Sequence, residues 1–172
     1  ALGRALQSVQ NQDYPNVEHM VLDGGSTDQT PAILKEHDQR VDFWRSAPDK
    51  GLYHALNIGA ELCRGEIIAV LPADDELTPR AVSHAVQALG QSEADFIYGT
   101  AELLNDSGKV LCHIRPVPSN KLPKAALQEM PFAHPTLFAA RGVYQRLGGY
   151  DTSLRIAADQ DFVLRALEAG FA

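Results

Sequence analysis

The spacing of apolar positions changes several times along the chain, and each change marks an element. Leu2, Ala5, Leu6 and Val9 recur at helical spacing and predict a helix over Ala1–Gln12, broken at Asp13-Tyr14-Pro15. Glu18–Asp23 (EHMVLD) reads as a buried strand, stopped by Gly24, Gly25 and Ser26. Thr30-Pro31 opens a helix, threonine as cap and proline at the first helical position, with Asp28 steadying the turn before it. Val41–Ser46 (VDFWRS) is a second strand, and Leu52, Ala55, Leu56, Ile58 and Leu62 mark a helix ending near Gly65. The all-apolar run Ile67–Leu71 (IIAVL) predicts a strand covered on both faces. Thr78-Pro79 starts a helix that ends at Gly90, and Asp95–Thr100 (DFIYGT) is a further strand.

Strands alternating with helices up to Thr100 predict parallel βαβ units in one sheet. The rhythm then changes. Asn105-Asp106-Ser107-Gly108 is a hairpin signal between Ala101–Leu104 and Val110–Ile114. Leu122–Glu129 predicts a short helix, Thr136–Ala140 a strand, Arg141–Leu147 a helix and Asp161–Ala169 another. No composition shift, repeat or linker divides the chain, so a single domain spanning 1–172 is expected. Both ends fall in helical patterns and read as cuts in a longer protein.

Composition narrows the function classes. The 172 residues are 45% hydrophobic and 22% charged, an ordinary globular profile with a sizeable core. A net charge of −7 disfavours binding to a phosphate backbone, so nucleic acid is excluded as a partner. Cys63 and Cys112 lie in no CxxC pair and read as free thiols of a reducing compartment. No run approaches the ~18 apolar residues of a membrane helix.

In open α/β sheets, ligands sit beyond the carboxyl ends of the strands. Three acidic groups fall at such ends: Asp23, Asp74-Asp75, and Asp159 with Asp161. Gathered at one rim they would repel one another unless a cation or donors compensate. Asp74-Asp75 suits a hard cation, which takes oxygen ligands from one or two carboxylates plus substrate phosphates. Equally, such a pair suits a solvated turn leading into Thr78-Pro79. Asp23 before Gly24-Gly25 is also a common turn former, and Lys50 in Asp49-Lys50-Gly51 offers either a phosphate partner or a solvated surface cation. Of Asp159 and Asp161, one can favour the helix start while the other faces a cleft. His134, between apolar residues, reads as a hydrogen-bonded structural histidine, with an acceptor-side role as the sharper option, and His54 and His84 read as solvated. No Ser-His-Asp order, nucleophile elbow or phosphate-binding glycine loop is present.

These motifs together resemble family 2 glycosyltransferases of the GT-A fold, especially bacterial enzymes of surface-polysaccharide assembly. Ser8–Gln12 with Glu18–Asp28 is similar to the family's segment from first helix to second strand. Ser46–Asn57 (SAPDKGLYHALN) is similar to its next loop and helix, and Gly65–Ala69 leads into its metal motif. The resemblance implies a Rossmann-like α/β fold with a mostly parallel central sheet and a small antiparallel hairpin. It implies that Asp23, Gly25, Asp49, Lys50, Asn57 and Asp74 bind the nucleotide sugar, that Asp75 ligates Mg2+ or Mn2+, that Asp159 is the catalytic base and that Asp161 supports it. The family's DxD motif reads Ala73-Asp74-Asp75 here, so metal ligation leans on Asp75; Ala158 replaces a glutamate, and the family's Asp-Asp-Gly reads Asp23-Gly24-Gly25. The family's first strand is expected to precede Ala1, and the C-terminal region is expected to be cut.

The implied reaction is an inverting transfer from a UDP-sugar to a hydroxyl acceptor, a saccharide or lipid-linked saccharide, in cell-surface polysaccharide or glycolipid synthesis. The implied setting is cytoplasmic, with peripheral association at the inner membrane face. Two other readings stand beside it: a non-catalytic nucleotide-sugar-binding module of the same fold, and a metal-dependent nucleotidyltransferase.

Overall fold

A computed structural model describes residues 1–172. Its elements follow the apolar pattern closely: α1 (Leu2–Gln10), β1 (Met20–Asp23), α2 (Thr30–Glu36), β2 (Phe43–Ser46), α3 (Leu52–Leu62), β3 (Ile67–Ala69), α4 (Ala81–Gly90) and β4 (Phe96–Ile97). The hairpin β5 (Ala101–Leu104) and β6 (Val110–Ile114) comes next, then α5 (Leu122–Ala126), β7 (Phe138–Ala140), α6 (Arg141–Leu147) and α7 (Ala158–Glu168). A tight helical turn at His134–Thr136 leads into β7.

The sheet is where sequence pattern and structure part. β1 and β2 pair in parallel, with Asp23 opposite Ser46. β7, however, lies between β3 and β4 and is antiparallel to both. The expected single parallel sheet is therefore a parallel pair beside a three-stranded antiparallel group, with β5–β6 as a separate ladder. Residue spacing reports which positions face a core but not the direction in which a strand re-enters a sheet. Ile67–Leu71 differs too. Only Ile67–Ala69 pairs, on one side, and Ala69 is exposed, so the run is not covered on both faces.

The start of α4 also moves. Thr78-Pro79 forms a turn tied to the segment after α1: Gln12 Nε2 donates to the Thr78 carbonyl at 2.8 Å, and Asp13 N–H donates to the Pro79 carbonyl at 3.1 Å. The helix therefore opens at Ala81, with Gln12 Oε1 accepting the Val82 N–H at 3.0 Å. At α2, Thr30 is the first helical residue and Asp28 Oδ1 accepts its N–H at 2.8 Å, the job foreseen for Asp28.

Two apolar clusters hold the layers. The larger joins β4, β7, α5, α6 and α7 through Phe96, Leu122, Phe132, Leu137, Val143, Tyr144, Tyr150, Phe162 and Val163. The smaller, Leu6, Leu34 and Val41, packs α1 and α2 over Val21 and Trp44. Both cysteines are free. No helix is long and apolar enough to cross a membrane.

The topology gathers one rim. Glu18, just before β1, accepts the N–H groups of Arg64 at 2.6 Å and Gly65 at 3.2 Å, which pins the C-terminal end of α3 beside the start of β1. α3 therefore runs against β1 and β2, and β3, starting at Ile67, runs back the same way as they do. β1, β2 and β3 thus end on one side. β7, antiparallel to β3, must begin on that side, which brings His134 there.

Candidate active site

Asp23 closes β1 on this rim. Its Oδ1 accepts the Ser26 hydroxyl at 2.5 Å, and its Oδ2 accepts the Ser46 hydroxyl at 2.6 Å and the Ser26 N–H at 3.0 Å. Burial pushes the Asp23 carboxyl upward, but the Ser26 and Ser46 hydroxyls with the N–H groups of Ser26 and Gly25 outweigh it and hold the group below its ordinary value. Ser46 reaches Asp23 because the parallel register sets them opposite each other. A Cβ on Gly24 would lie 3.0 Å from the Asp49 carboxylate, and Asp49 Oδ1 accepts the Gly51 N–H at 2.7 Å. Gly25 has φ +88°, and a Cβ there would stand 3.0 Å from the Pro48 nitrogen, so both conformation and space require glycine. Lys50 is exposed in the same loop. His54 is half-buried, not solvated; it lines a small cleft with Asp23 and Asp49, and its buried Nδ1 has no partner. His84 is exposed as expected.

Asp74 and Asp75 follow β3. A turn closes with the Asp75 N–H on the Pro72 carbonyl at 3.1 Å. The loop is moored to α1, by the Leu77 N–H on Ser8 Oγ at 3.1 Å and by Arg4 on Glu76 at 3.1 Å. Asp75 is half-buried. Burial first, and the neighbouring Asp74 charge second, push its carboxyl upward. No three His, Cys, Asp or Glu side chains gather closely enough to enclose a metal by themselves.

α7 carries Asp159 and Asp161. It opens from Ala157, whose φ of 66° makes it the one left-handed non-glycine residue of the chain, and Ala157 supplies no side-chain cap. Asp159 Oδ1 accepts the Gln160 N–H at 3.0 Å and the Tyr53 hydroxyl at 3.4 Å. Asp161 Oδ2 accepts Arg165 Nε at 2.7 Å, while the same guanidinium donates to the carbonyls of Leu147 at 3.0 Å and Gly149 at 2.9 Å. The two carboxylates thus diverge: Asp159 meets α3, and Asp161 secures Arg165 and the loop before α7. His134 Nε2 bonds the Tyr150 hydroxyl at 2.9 Å, which also meets the Tyr144 hydroxyl at 3.2 Å. Burial pushes the His134 imidazole down, against a smaller upward pull from Asp159. The structural reading of His134 therefore holds, and the residue sits within the field of Asp159.

Asn57 ties α3 to the loop after α6. Its Nδ2 donates to the Tyr150 carbonyl at 2.8 Å, and its Oδ1 accepts the Tyr150 N–H at 2.7 Å. One amide hydrogen and one oxygen lone pair remain uncommitted. Sequence reading passed over Tyr53, Ser46, Tyr150 and Arg165. Tyr53, Ser46 and Tyr150 have partners 106, 23 and 93 residues away that only strand register or packing brings close, whereas Arg165 joins Asp161 one helical turn away to Gly149, 16 residues back.

Asp23 and Asp49 line one small cleft, with Asp49 packed beside Gly24. Asp49 leads into α3, α3 reaches Asp159 through Tyr53, and Asp75 follows the strand beside β7, whose entry carries His134. A half-buried carboxylate with one free oxygen, an unpaired acidic pair and a hydroxyl-lined aspartate on one rim can accept a proton, hold a cation and bind a polar ligand.

Comparison with known proteins gives the family and the fold. The Glycosyl transferase family 2 description matches residues 1–146. An uncharacterized glycosyltransferase of Mycobacterium tuberculosis (strain ATCC 25618 / H37Rv) is 34% identical over 169 residues, 96% of this chain and 63% of the relative. The chain thus spans just under two thirds of that relative's length. Among solved structures, Staphylococcus aureus TarS 1-349 in complex with UDP superposes with a TM-score of 0.73 at 20% identity, over 96% of this chain and 50% of that one. The mannosyltransferase PcManGT from Pyrobaculum calidifontis, in complex with GDP-Man and Mn2+, gives 0.74 at 22% identity, over 99% and 49%. These two likenesses concern the GT-A fold, whereas the family match covers most of the chain in sequence. The chain belongs to glycosyl transferase family 2.

Proposed function

We propose that this domain moves a sugar from a UDP-sugar to an acceptor hydroxyl with inversion at the anomeric carbon. The observation that carries the reading is Asp159: half-buried at the start of a helix, one carboxylate oxygen fixed by the Gln160 N–H and the Tyr53 hydroxyl, the other without a partner. A general base needs this combination of fixed position and free lone pair. Asp159 takes the proton of the acceptor hydroxyl. The oxygen so activated forms a bond to the anomeric carbon from the face opposite the diphosphate, whose bond to that carbon breaks. Holding both partners in line supplies much of the rate.

On the donor side, Asp23, Gly25, Asp49, Lys50, Asn57 and Asp74 form the nucleotide-sugar contacts in this proposal. Asp23, already ionised and hydrogen-bonded, can accept from a uracil N–H or a ribose hydroxyl. Lys50 supplies a cation to the diphosphate. The unpaired Asp74-Asp75 carboxylates fit a hard cation, since burial and like charge destabilise Asp75 unless a positive charge arrives. A Mg2+ or Mn2+ ion on Asp75 would offset the charge that develops on the departing diphosphate. PcManGT, solved with Mn2+ and a nucleotide sugar, and TarS, solved with UDP, support a metal and a nucleotide donor here. The acceptor is a saccharide or lipid-linked saccharide, met at the inner face of the membrane.

Turnover with a panel of UDP- and GDP-sugars, with and without EDTA, tests this reading. Asp159→Asn is expected to abolish transfer while UDP binding stays near wild type. Normal turnover by that variant removes Asp159 as base, and turnover indifferent to EDTA removes the metal.

A further inference from the structure

α3 does more than separate two strands. It follows the Asp49-Lys50-Gly51 loop on the donor side, and two of its side chains, four residues apart and hence on one face, reach the segment that carries Asp159. Asn57 grips Tyr150 through both backbone groups, at 2.7 and 2.8 Å, in the manner of a strand pair. One turn earlier, the Tyr53 ring lies against the Tyr150 ring, with centroids 5.7 Å apart and planes tilted by 32°. Tyr150 is buried, and its hydroxyl is held by His134 and Tyr144. The Tyr53 ring therefore rests on a fixed surface, and its hydroxyl is carried to Asp159 Oδ1.

We propose that Tyr53 is a positioning residue for Asp159, acting from α3 with Asn57 as its anchor; this rests on the reading of Asp159 as the base. Tyr53 and the Gln160 N–H hold the same oxygen, Oδ1, which leaves Oδ2 free for the acceptor hydroxyl. Burial first, then the Asp159 charge, push the Tyr53 hydroxyl upward, so it stays protonated and remains a donor. The N–H groups of Ala158 and Asp159 also face the tyrosine oxygen, at a helix start that Ala157 leaves without a side-chain cap. The other titratable groups around Asp159 are His134 from the turn before β7, Tyr150 from the loop after α6, and the Asp161–Arg165 pair on α7 itself. Of these, Tyr53 is the one whose side chain bonds the carboxylate.

Tyr53→Phe keeps the ring on Tyr150 and deletes only the hydroxyl. With a donor that the wild type turns over, kcat is expected to fall roughly tenfold, the scale of one lost hydrogen bond to a charged group, while the donor KM is unchanged. A fluorotyrosine at 53, a more acidic and stronger donor, is expected to keep kcat at or above the wild-type value. Asp159→Asn is assayed alongside. If that variant is inactive while Tyr53→Phe keeps wild-type kcat, the positioning role is overturned and the base stands. If Tyr53→Phe lowers the melting temperature or raises KM without lowering kcat, Tyr53 is a packing residue and the proposal also fails. If Asp159→Asn turns over normally, both readings fall together.

Discussion

Gly149 is where the loop before α7 is most sensitive, and the cost of altering it can be worked out from the geometry. Its φ of +78° is left-handed, and a Cβ would overlap the Asn57 amide, standing 2.9 Å from Cγ and nearer still to Oδ1. Gly148, one residue earlier, has φ +72° with nothing within 4 Å of its Cβ position. Alanine at 148 therefore bears only the left-handed cost of about 1 kcal/mol. Alanine at 149 bears that cost and must also expel Asn57, losing two hydrogen bonds to Tyr150 at about 1 kcal/mol each, for a total of about 3 kcal/mol. In a chain of this size that corresponds to a melting temperature lowered by roughly 6–12 °C for Gly149→Ala, against roughly 2–4 °C for Gly148→Ala. Thermal unfolding followed by far-ultraviolet circular dichroism reads both. In an Asn57→Ala background the clash and the two bonds are already gone, so Gly149→Ala is expected to cost only about 1 kcal/mol more. Equal melting temperatures for the two single alanine variants, or a Gly149→Ala cost unchanged in the Asn57→Ala background, would refute the clamp.

Two further outcomes follow from groups elsewhere. Asp75→Ala is expected to weaken UDP binding in the presence of Mg2+ or Mn2+ about tenfold or more, measured by titration calorimetry, and to leave metal-free binding unchanged; an unaltered metal-dependent affinity removes Asp75 from the metal site. Glu18 is held below its ordinary 4.5, first by the Arg64 N–H and then by the Arg64 guanidinium, against burial. Its stabilisation is therefore complete above that value and is lost as pH falls through the lower native one, so Glu18→Gln is expected to flatten the decline of melting temperature below about pH 4.5; parallel acid limbs for the two proteins contradict this.

Legibility in the sequence followed the range of the interaction concerned. Strand and helix positions, the hairpin at Asn105–Gly108, the break after β1 at Gly24-Gly25 and the placing of Asp23, Asp74-Asp75 and Asp159 near element ends were readable, because each depends on neighbours a few residues away. Apolar spacing of 2 or 3.6 and backbone torsions of glycine are local properties, and so is the arrival of a carboxylate after an apolar run.

The tertiary structure alone decided the rest. The antiparallel entry of β7 depends on where the chain returns after the hairpin and α5, which no window of sequence contains. The bonds of Asn57 to Tyr150, 93 residues on, for which Gly149 leaves room, had no local signal either. Tyr53 had no local signal at all, since its partner lies 106 residues away on a helix that packs beside it only once the core has closed. A sequence fixes what each segment prefers to bury. Which polar atoms then meet depends on how the buried faces fit together, because a hydrogen bond needs its partners within about 3 Å and that spacing is set by the whole packing.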